Sequence, residues 1–273
     1  MTINCKGQLI DLNQPKIMGI LNLTPDSFFD GGAYKTDAAF LNQVAKMLAE
    51  GATFIDVGAY SSRPDAVFVS EEEELHRLLP VLDLIIKEFP EVFLSIDTFR
   101  SQVAAQAIAH GAALINDISA GHLDADMMRV IADAQVPYIM MHMRGTPQTM
   151  KDLTTYDDLL KEMIFYFSER VELAKSYQIK DLILDPGFGF SKTVAQNYEV
   201  LKNLNLFQTF GLPVLSALSR KSMIYKLLDT TPQEALNGTS VLNTLSLMKG
   251  AQLLRVHDVK EAAECIALVN QIK

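Results

Sequence analysis

Short apolar runs rich in bulky or β-branched residues alternate eight times with longer helical patterns along this chain, and no other feature constrains its fold as tightly. The runs lie at 17–22, 53–58, 93–98, 113–118, 137–142, 181–186, 213–218 and 253–257. Helical stretches fall near 36–50, 71–88, 100–110, 124–135, 156–177, 194–203, 233–249 and 259–272. Runs that stay apolar without alternating suit strands buried on both faces, that is, a parallel sheet covered by helices. Eight such units in 273 residues predict a single α/β domain, 1–273, folded as a closed (β/α)8 (TIM-type) barrel. The alternative is a doubly wound open sheet, which usually has fewer strands and often a Gly-rich dinucleotide turn that this chain lacks. Residues 3–12 read as a short N-terminal β-hairpin placed to plug the bottom of the barrel.

Composition narrows the function. A hydrophobic fraction of 49% supplies a large core, and a net charge of −9 argues against general affinity for nucleic acid or anionic membrane. An anionic substrate must therefore be met by a local cluster of Arg, Lys and His. Cys5 and Cys265 show neither metal nor redox spacing and read as reduced thiols. No basic-then-apolar leader is present, and no apolar run approaches the ~20 residues that span a bilayer. The expectation is a soluble, cytoplasmic protein.

In a barrel of this kind chemistry gathers where the strands end. Every run here ends in polar groups: Asn22; Asp56 leading into Tyr60-Ser61-Ser62-Arg63-Pro64; Asp97; Asn116; His142; Asp185-Pro186-Gly187-Phe188-Gly189-Phe190; Ser219-Arg220-Lys221-Ser222; and Arg255-Val256-His257-Asp258. That regularity predicts one shared site. The segment from Asn22 to Asp30 combines amide, hydroxyl and carboxylate oxygens, which suit a magnesium ion carrying phosphate oxygens, although an ordinary surface turn reads the same way. Arg255 and His257, two apart on a strand, face one way and suit a phosphate clamp. Asp258 then points oppositely, in a structural role.

Arg220 and Lys221 stand at the start of a helix, where cations oppose the macrodipole, so a ligand carbonyl or ring nitrogen would justify at least one of them. Ser222 either caps that helix or meets a carboxylate at its N-terminus. Asp97, Asn116 and Asp185 offer acceptors matched to the donor–donor edge of a 2-amino-4-oxopyrimidine ring, with Met140 placed to pack on a flat ring. Asp56 reads as a site residue or as a support for the loops. His142, on an apolar strand, reads as a core histidine.

Together these segments resemble the dihydropteroate synthase family, the folate-pathway enzymes that sulfonamides target, over nearly the whole chain. The most specific parts are Asn22 to Asp30, Ser61-Ser62-Arg63-Pro64, Asp185 to Phe190, Ser219 to Ser222 and Arg255-Val256-His257. The resemblance implies a homodimeric (β/α)8 enzyme that joins 6-hydroxymethyl-7,8-dihydropterin diphosphate to 4-aminobenzoate with Mg2+. It implies pterin binding by Asp97, Asn116, Met140, Asp185 and Lys221. It assigns the diphosphate to Asn22, Ser62, Arg63, Arg255 and His257, the metal to Asn22, and the aminobenzoate to Pro64, Phe190 and Ser222. Catalysis falls to Asp97, Asp185, Lys221, Arg255 and His257. After the second strand the family commonly reads Gly-Glu-Ser-Thr-Arg-Pro-Gly, where this chain has Ala59-Tyr60-Ser61-Ser62-Arg63-Pro64-Asp65. A pterin-binding methyltransferase module, or a pterin-binding barrel without catalysis, shares the barrel and the pterin pocket. The methyltransferase module would not need the Asn22 loop or the Arg255/His257 pair, and the non-catalytic barrel is suggested only by the altered loop after the second strand.

Overall fold

The computed structural model describes residues 1–23, 37–60 and 68–272. Strands β1 (Thr2–Cys5) and β2 (Gln8–Asp11) form an antiparallel hairpin. Its two-residue turn places Lys6 at φ +53° and Gly7 at φ +82°, the left-handed pair that matches strand twist. The hairpin closes one end of a barrel made of β3 (Lys16–Asn22), β4 (Phe54–Gly58), β5 (Phe93–Asp97), β6 (Leu114–Asp117), β7 (Tyr138–Met141), β8 (Leu182–Asp185), β9 (Leu215–Ser216) and β10 (Leu253–Val256). All seven pairings along this sheet are parallel. The eighth seam is narrow: a bridge between Leu184 and Val214, carried by Leu184 N–H donating to Pro213 O at 2.9 Å.

The helices are α1 (Asp37–Ala49), α2 (Glu71–Glu88), α3 (Ser101–Ala109), α4 (Met127–Ala134), α5 (Leu159–Ser176), α6 (Val194–Lys202), α7 (Ser222–Tyr225), α8 (Leu236–Met248) and α9 (Val259–Val269). Eight of them follow the expected order. The four-residue α7 and the 3-10 segment Leu204–Phe210 are additions that the periodicity does not announce. Helix α4 starts later than the expected 124, because Asp124 is used as a turn: its carboxylate accepts from Ser101 N at 2.7 Å and Asp126 N at 3.0 Å. Helix α6 begins with a reciprocal cap between Thr193 and Gln196.

Why the strand runs are continuously apolar is visible in the packing. One set of residues, including Ile17, Leu21, Ile55, Val57, Leu94, Ile96, Leu182 and Val256, packs outward with the apolar faces of the helices. The alternate set, Met18, Phe54, Leu114, Ile139, Ile183, Leu215 and Leu253, fills the lower barrel against Ile3, Cys5 and Leu12 of the hairpin segment. Following that parity two residues onward puts Asp56, Asn116, Met141, Asp185 and Arg255 inside the opposite mouth.

Candidate active site

At that mouth Arg255 is gripped by two carboxylates. Its Nε donates to Asp56 Oδ2 at 2.6 Å and its terminal nitrogen to Asp97 Oδ2 at 2.7 Å. Asn116 Nδ2 donates to the same Asp56 oxygen at 3.1 Å, while the buried Asp56 Oδ1 has no hydrogen-bond partner among the described residues. Burial lifts the Asp97 carboxyl to about 7, with Arg255 opposing the rise and Asp56 adding to it. For Arg255 burial opposes the charge, but Asp56 and Asp97 more than offset it and hold the guanidinium charged. Gly58 opens the space between β3 and β5: a Cβ there would lie 3.4 Å from Asp97 Cβ and 3.8 Å from Asn22 Oδ1. Asn22 is therefore a half-buried strand-end amide beside Asp97.

The segment after β8 forms the facing wall. Asp185 Oδ1 accepts from Gly187 N at 2.7 Å, and Gly187 sits at φ +69°, with its Cα so close to His142 that a Cβ would lie 2.2 Å from the His142 carbonyl oxygen. Lys221 Nζ donates to Phe188 O at 2.5 Å and lies 4.9 Å from the Phe190 ring centroid. Burial raises Asp185 while Lys221 opposes the rise, and burial draws Lys221 down to about 8 while Asp185 resists. The two titrate as a partly desolvated pair of opposite charges.

Several expectations need correction. Met140 is fully buried on the outer face of β7, among helix-facing residues, and cannot meet a ligand at the mouth. Met141, paired in register with Asp185, takes the inward place and joins Ile118, Met143, Met150 and Phe190 in an apolar patch. The alternation of a strand admits only one of two adjacent methionines. Arg255 carries more than a phosphate-clamp role, since it already holds Asp56 and Asp97, while His257, one residue past the end of β10, is exposed with its backbone N–H on Ser219 Oγ. Arg220 forms a two-pronged ion pair with Asp258, at 2.8 and 2.9 Å, and donates to Pro232 O and Gln233 O. That is a structural role, so of the two adjacent cations only Lys221 faces Asp185. Lys221 takes the N-cap position of α7 without a side-chain cap bond, and Ser222 is the first helical residue.

Asp97, Asn116, Asp185, Lys221 and Phe190 converge as expected. Ser62, Arg63, Pro64 and the Asp26-Ser27-Phe28-Phe29 portion of the first loop lie outside the described residues. Tyr60, which replaces the family's acid, is held by Phe99 edge-on, by Arg100 at 5.2 Å from its ring, and by Gln148 Nε2 donating to its hydroxyl at 3.0 Å. Reasoning from the sequence missed Lys192, a buried ammonium behind the Asp185 segment that reaches His142 Nδ1 at 3.0 Å. Burial and the neighbouring Lys192 push His142 well below the usual imidazole range, so this ring is neutral. The signal for Lys192 was its place two residues after a Gly-Phe-Gly-Phe turn, which gives no hint of burial.

Among the described residues no cluster of three His, Cys, Asp or Glu is arranged to hold a metal. Among the described residues, the Asn22 amide is an uncharged oxygen donor at the mouth that suits a hard cation. One amide fits an ion held chiefly by phosphate oxygens and water.

Residues 18–257 match the family described as pterin binding enzyme. The dihydropteroate synthase of Escherichia coli is 41% identical over 272 residues, covering 99% of this chain and 96% of the relative. A Yersinia pestis dihydropteroate synthase solved with a sulfonamide drug superposes with TM-score 0.95 at 40% identity, covering 100% of this chain and 99% of that one. The Xanthomonas albilineans dihydropteroate synthase solved with 4-aminobenzoic acid superposes with TM-score 0.91 at 36% identity, covering 99% of this chain and 97% of that one.

Proposed function

Because the chain belongs to the pterin-binding enzymes, and within them to the dihydropteroate synthases, a transferase family of folate biosynthesis, we propose that the mouth described above divides the synthase reaction among its residues as follows. Asp97 and Asn116 receive the amino-oxopyrimidine edge of the pterin, and Asp185 with Lys221 receives its other polar edge. Met141 lies along the ring. The single observation that carries this reading is the convergence of Asp97, Asn116, Asp185 and Lys221 on one mouth, with carboxyls raised by burial and ready for N–H donors. Docking two donors on Asp97 draws it back to the carboxylate form.

The aromatic amine is a weak nucleophile, so activating the diphosphate leaving group matters most. Arg255, anchored through Nε on Asp56, offers its remaining N–H groups to the departing oxygens, with Arg63, Ser62 and His257 at the rim. Asn22 would help hold magnesium, which would supply charge neutralisation to the leaving group. Asp97 and Asp185 stabilise positive charge that develops on the dihydropterin, which favours a dissociative displacement. Pro64, Phe190 and Ser222 receive 4-aminobenzoate.

The whole chain, 1–273, acts as one domain in the cytoplasm. Two buried free thiols and the absence, among the described residues, of a helix able to cross a membrane support that placement. Val241, Leu245, Met248 and Leu268 stand exposed on α8 and near the end of α9, and support a homodimer through that face. Mixing the protein with magnesium, the pterin diphosphate and 4-aminobenzoate should release dihydropteroate and diphosphate. Pterin binding with no product would overturn the synthase reading.

A further inference from the structure

Lysine is almost never fully buried unless its charge is paired. Lys192 is 7% exposed, and among the described residues no carboxylate forms an ion pair with it. Its three hydrogen bonds go to neutral acceptors: His142 Nδ1 at 3.0 Å, Gly187 O at 3.0 Å and Phe190 O at 3.1 Å. Burial draws the ammonium down to about 7, with the field of Asp185 as the main opposing influence. A group held at that cost needs a purpose, and the bonds indicate one.

The Asp185–Phe190 turn is gripped from two sides. Lys221 takes the Phe188 carbonyl on the substrate side, while Lys192 takes the flanking Gly187 and Phe190 carbonyls from inside the fold. The intervening Gly189 N–H donates to Asn197 Oδ1 at 2.7 Å. The turn begins with Asp185 and ends with Phe190, the residues placed above against the pterin and the aromatic amine. Asp185 shares a strand register with the site, but Phe190 hangs five residues beyond it. Its ring position therefore depends on what fixes the turn.

We propose that Lys192 is a positioning residue for the transferase reaction: by gripping the Gly187 and Phe190 carbonyls it sets where Asp185 and the Phe190 ring meet the two substrates. This rests on the assignment of those two residues in the preceding section. Lys192→Met keeps the length and apolar stem but removes all three donors. In the folded variant the KM for 4-aminobenzoate should rise roughly tenfold, and the calorimetric Kd for 6-hydroxymethylpterin about threefold, since small misplacements of a substrate wall are costly. In a Phe190→Ala background the effect of Lys192→Met on the aminobenzoate KM should vanish while its effect on pterin Kd persists. A merely structural lysine would lower melting temperature and active fraction and leave KM and Kd alone. A folded Lys192→Met with both constants within about twofold of wild type overturns the proposal. If that variant does not fold, Lys192→Arg decides: a shifted aminobenzoate KM supports positioning, and an unchanged one refutes it. Wild-type protein that binds pterin but forms no product would defeat the synthase reading, and the Kd comparison would still decide the role of Lys192.

Discussion

Replacing Arg255 by Met removes the cation that bridges Asp56 and Asp97 at 2.6 and 2.7 Å. Breaking a buried pair by deleting one partner costs about 3–5 kcal/mol when the remaining charge stays buried. Here the figure belongs at the low end, for two reasons. Asn116 still reaches Asp56, and the 17%-exposed Asp97 side chain can take up a proton. In the wild type Arg255 opposes that protonation, so without it Asp97 titrates higher than about 7. The folded variant then binds a proton that the unfolded chain, with Asp near ~3.9, releases. Its stability therefore falls as pH rises, and more steeply than in the wild type. The expected deficit is about 3 kcal/mol at pH 8 and about 2 kcal/mol at pH 6, or roughly 10 °C and roughly 6 °C in melting temperature. Thermal melts of both proteins at the two pH values measure it. A deficit that is equal at both, or larger at pH 6, would refute the assignment of Asp97 as the responding group. The same variant should lose two or more decades of kcat/KM if Arg255 meets the leaving group in the transition state, and near wild-type kinetics would sink that role.

Pterin affinity should weaken by up to tenfold per pH unit below about 7, because the N–H donors of the ring need the carboxylate form of Asp97; calorimetry with 6-hydroxymethylpterin from pH 5.5 to 8 reads this directly. Met141→Ala should raise the pterin KM about tenfold with a modest loss of stability, whereas Met140→Ala should cost about 2–5 kcal/mol of stability and leave KM unchanged. The reverse pattern would return Met140 to the site. Gly187→Ala should cost at least about 2 kcal/mol, since its Cβ meets a backbone oxygen at 2.2 Å, while Gly211→Ala, also at positive φ but with open space around it, should cost only about 1 kcal/mol. Equal denaturant midpoints for the two would contradict the contact described at His142.

The barrel was legible because burial on both faces leaves a signature in every strand, and only continuous apolar runs satisfy it. Site residues were legible where a polar side chain interrupts such a run, as at Asp97, Asn116, Asp185 and Arg255. Legibility failed wherever the answer depended on side-chain direction within an apolar pair or on long-range partners. Nothing in Met140-Met141 announces which residue faces inward; register with Asp185 across β7 and β8 decides it. Nothing in Arg220-Lys221 announces which cation serves the site; the partner of Arg220 is Asp258, 38 residues away at 2.8 Å. The carboxylate partners of Arg255 were not legible either, because they lie 158 and 199 residues earlier in the chain.

Those partners also explain how a chain of net charge −9 prepares to bind an anion. Around the mouth Arg255, Lys221 and Lys192 stand against Asp56, Asp97 and Asp185, so the buried charges nearly cancel. A neutral, hydrogen-bonding ring can enter such a site without importing a counter-ion, and its N–H groups take over carboxylates that Arg255 now holds. Each carboxylate so occupied leaves its cation less satisfied and better able to meet phosphate oxygens. Ring binding and diphosphate binding are thereby coupled through Arg255. The coupling predicts that the diphosphate ester binds more tightly than the sum of its free ring and free inorganic diphosphate allows, and that Asp97→Asn removes most of that surplus. Calorimetric titrations of the three ligands into both proteins measure the surplus directly, and an unchanged surplus in Asp97→Asn would disprove the coupling.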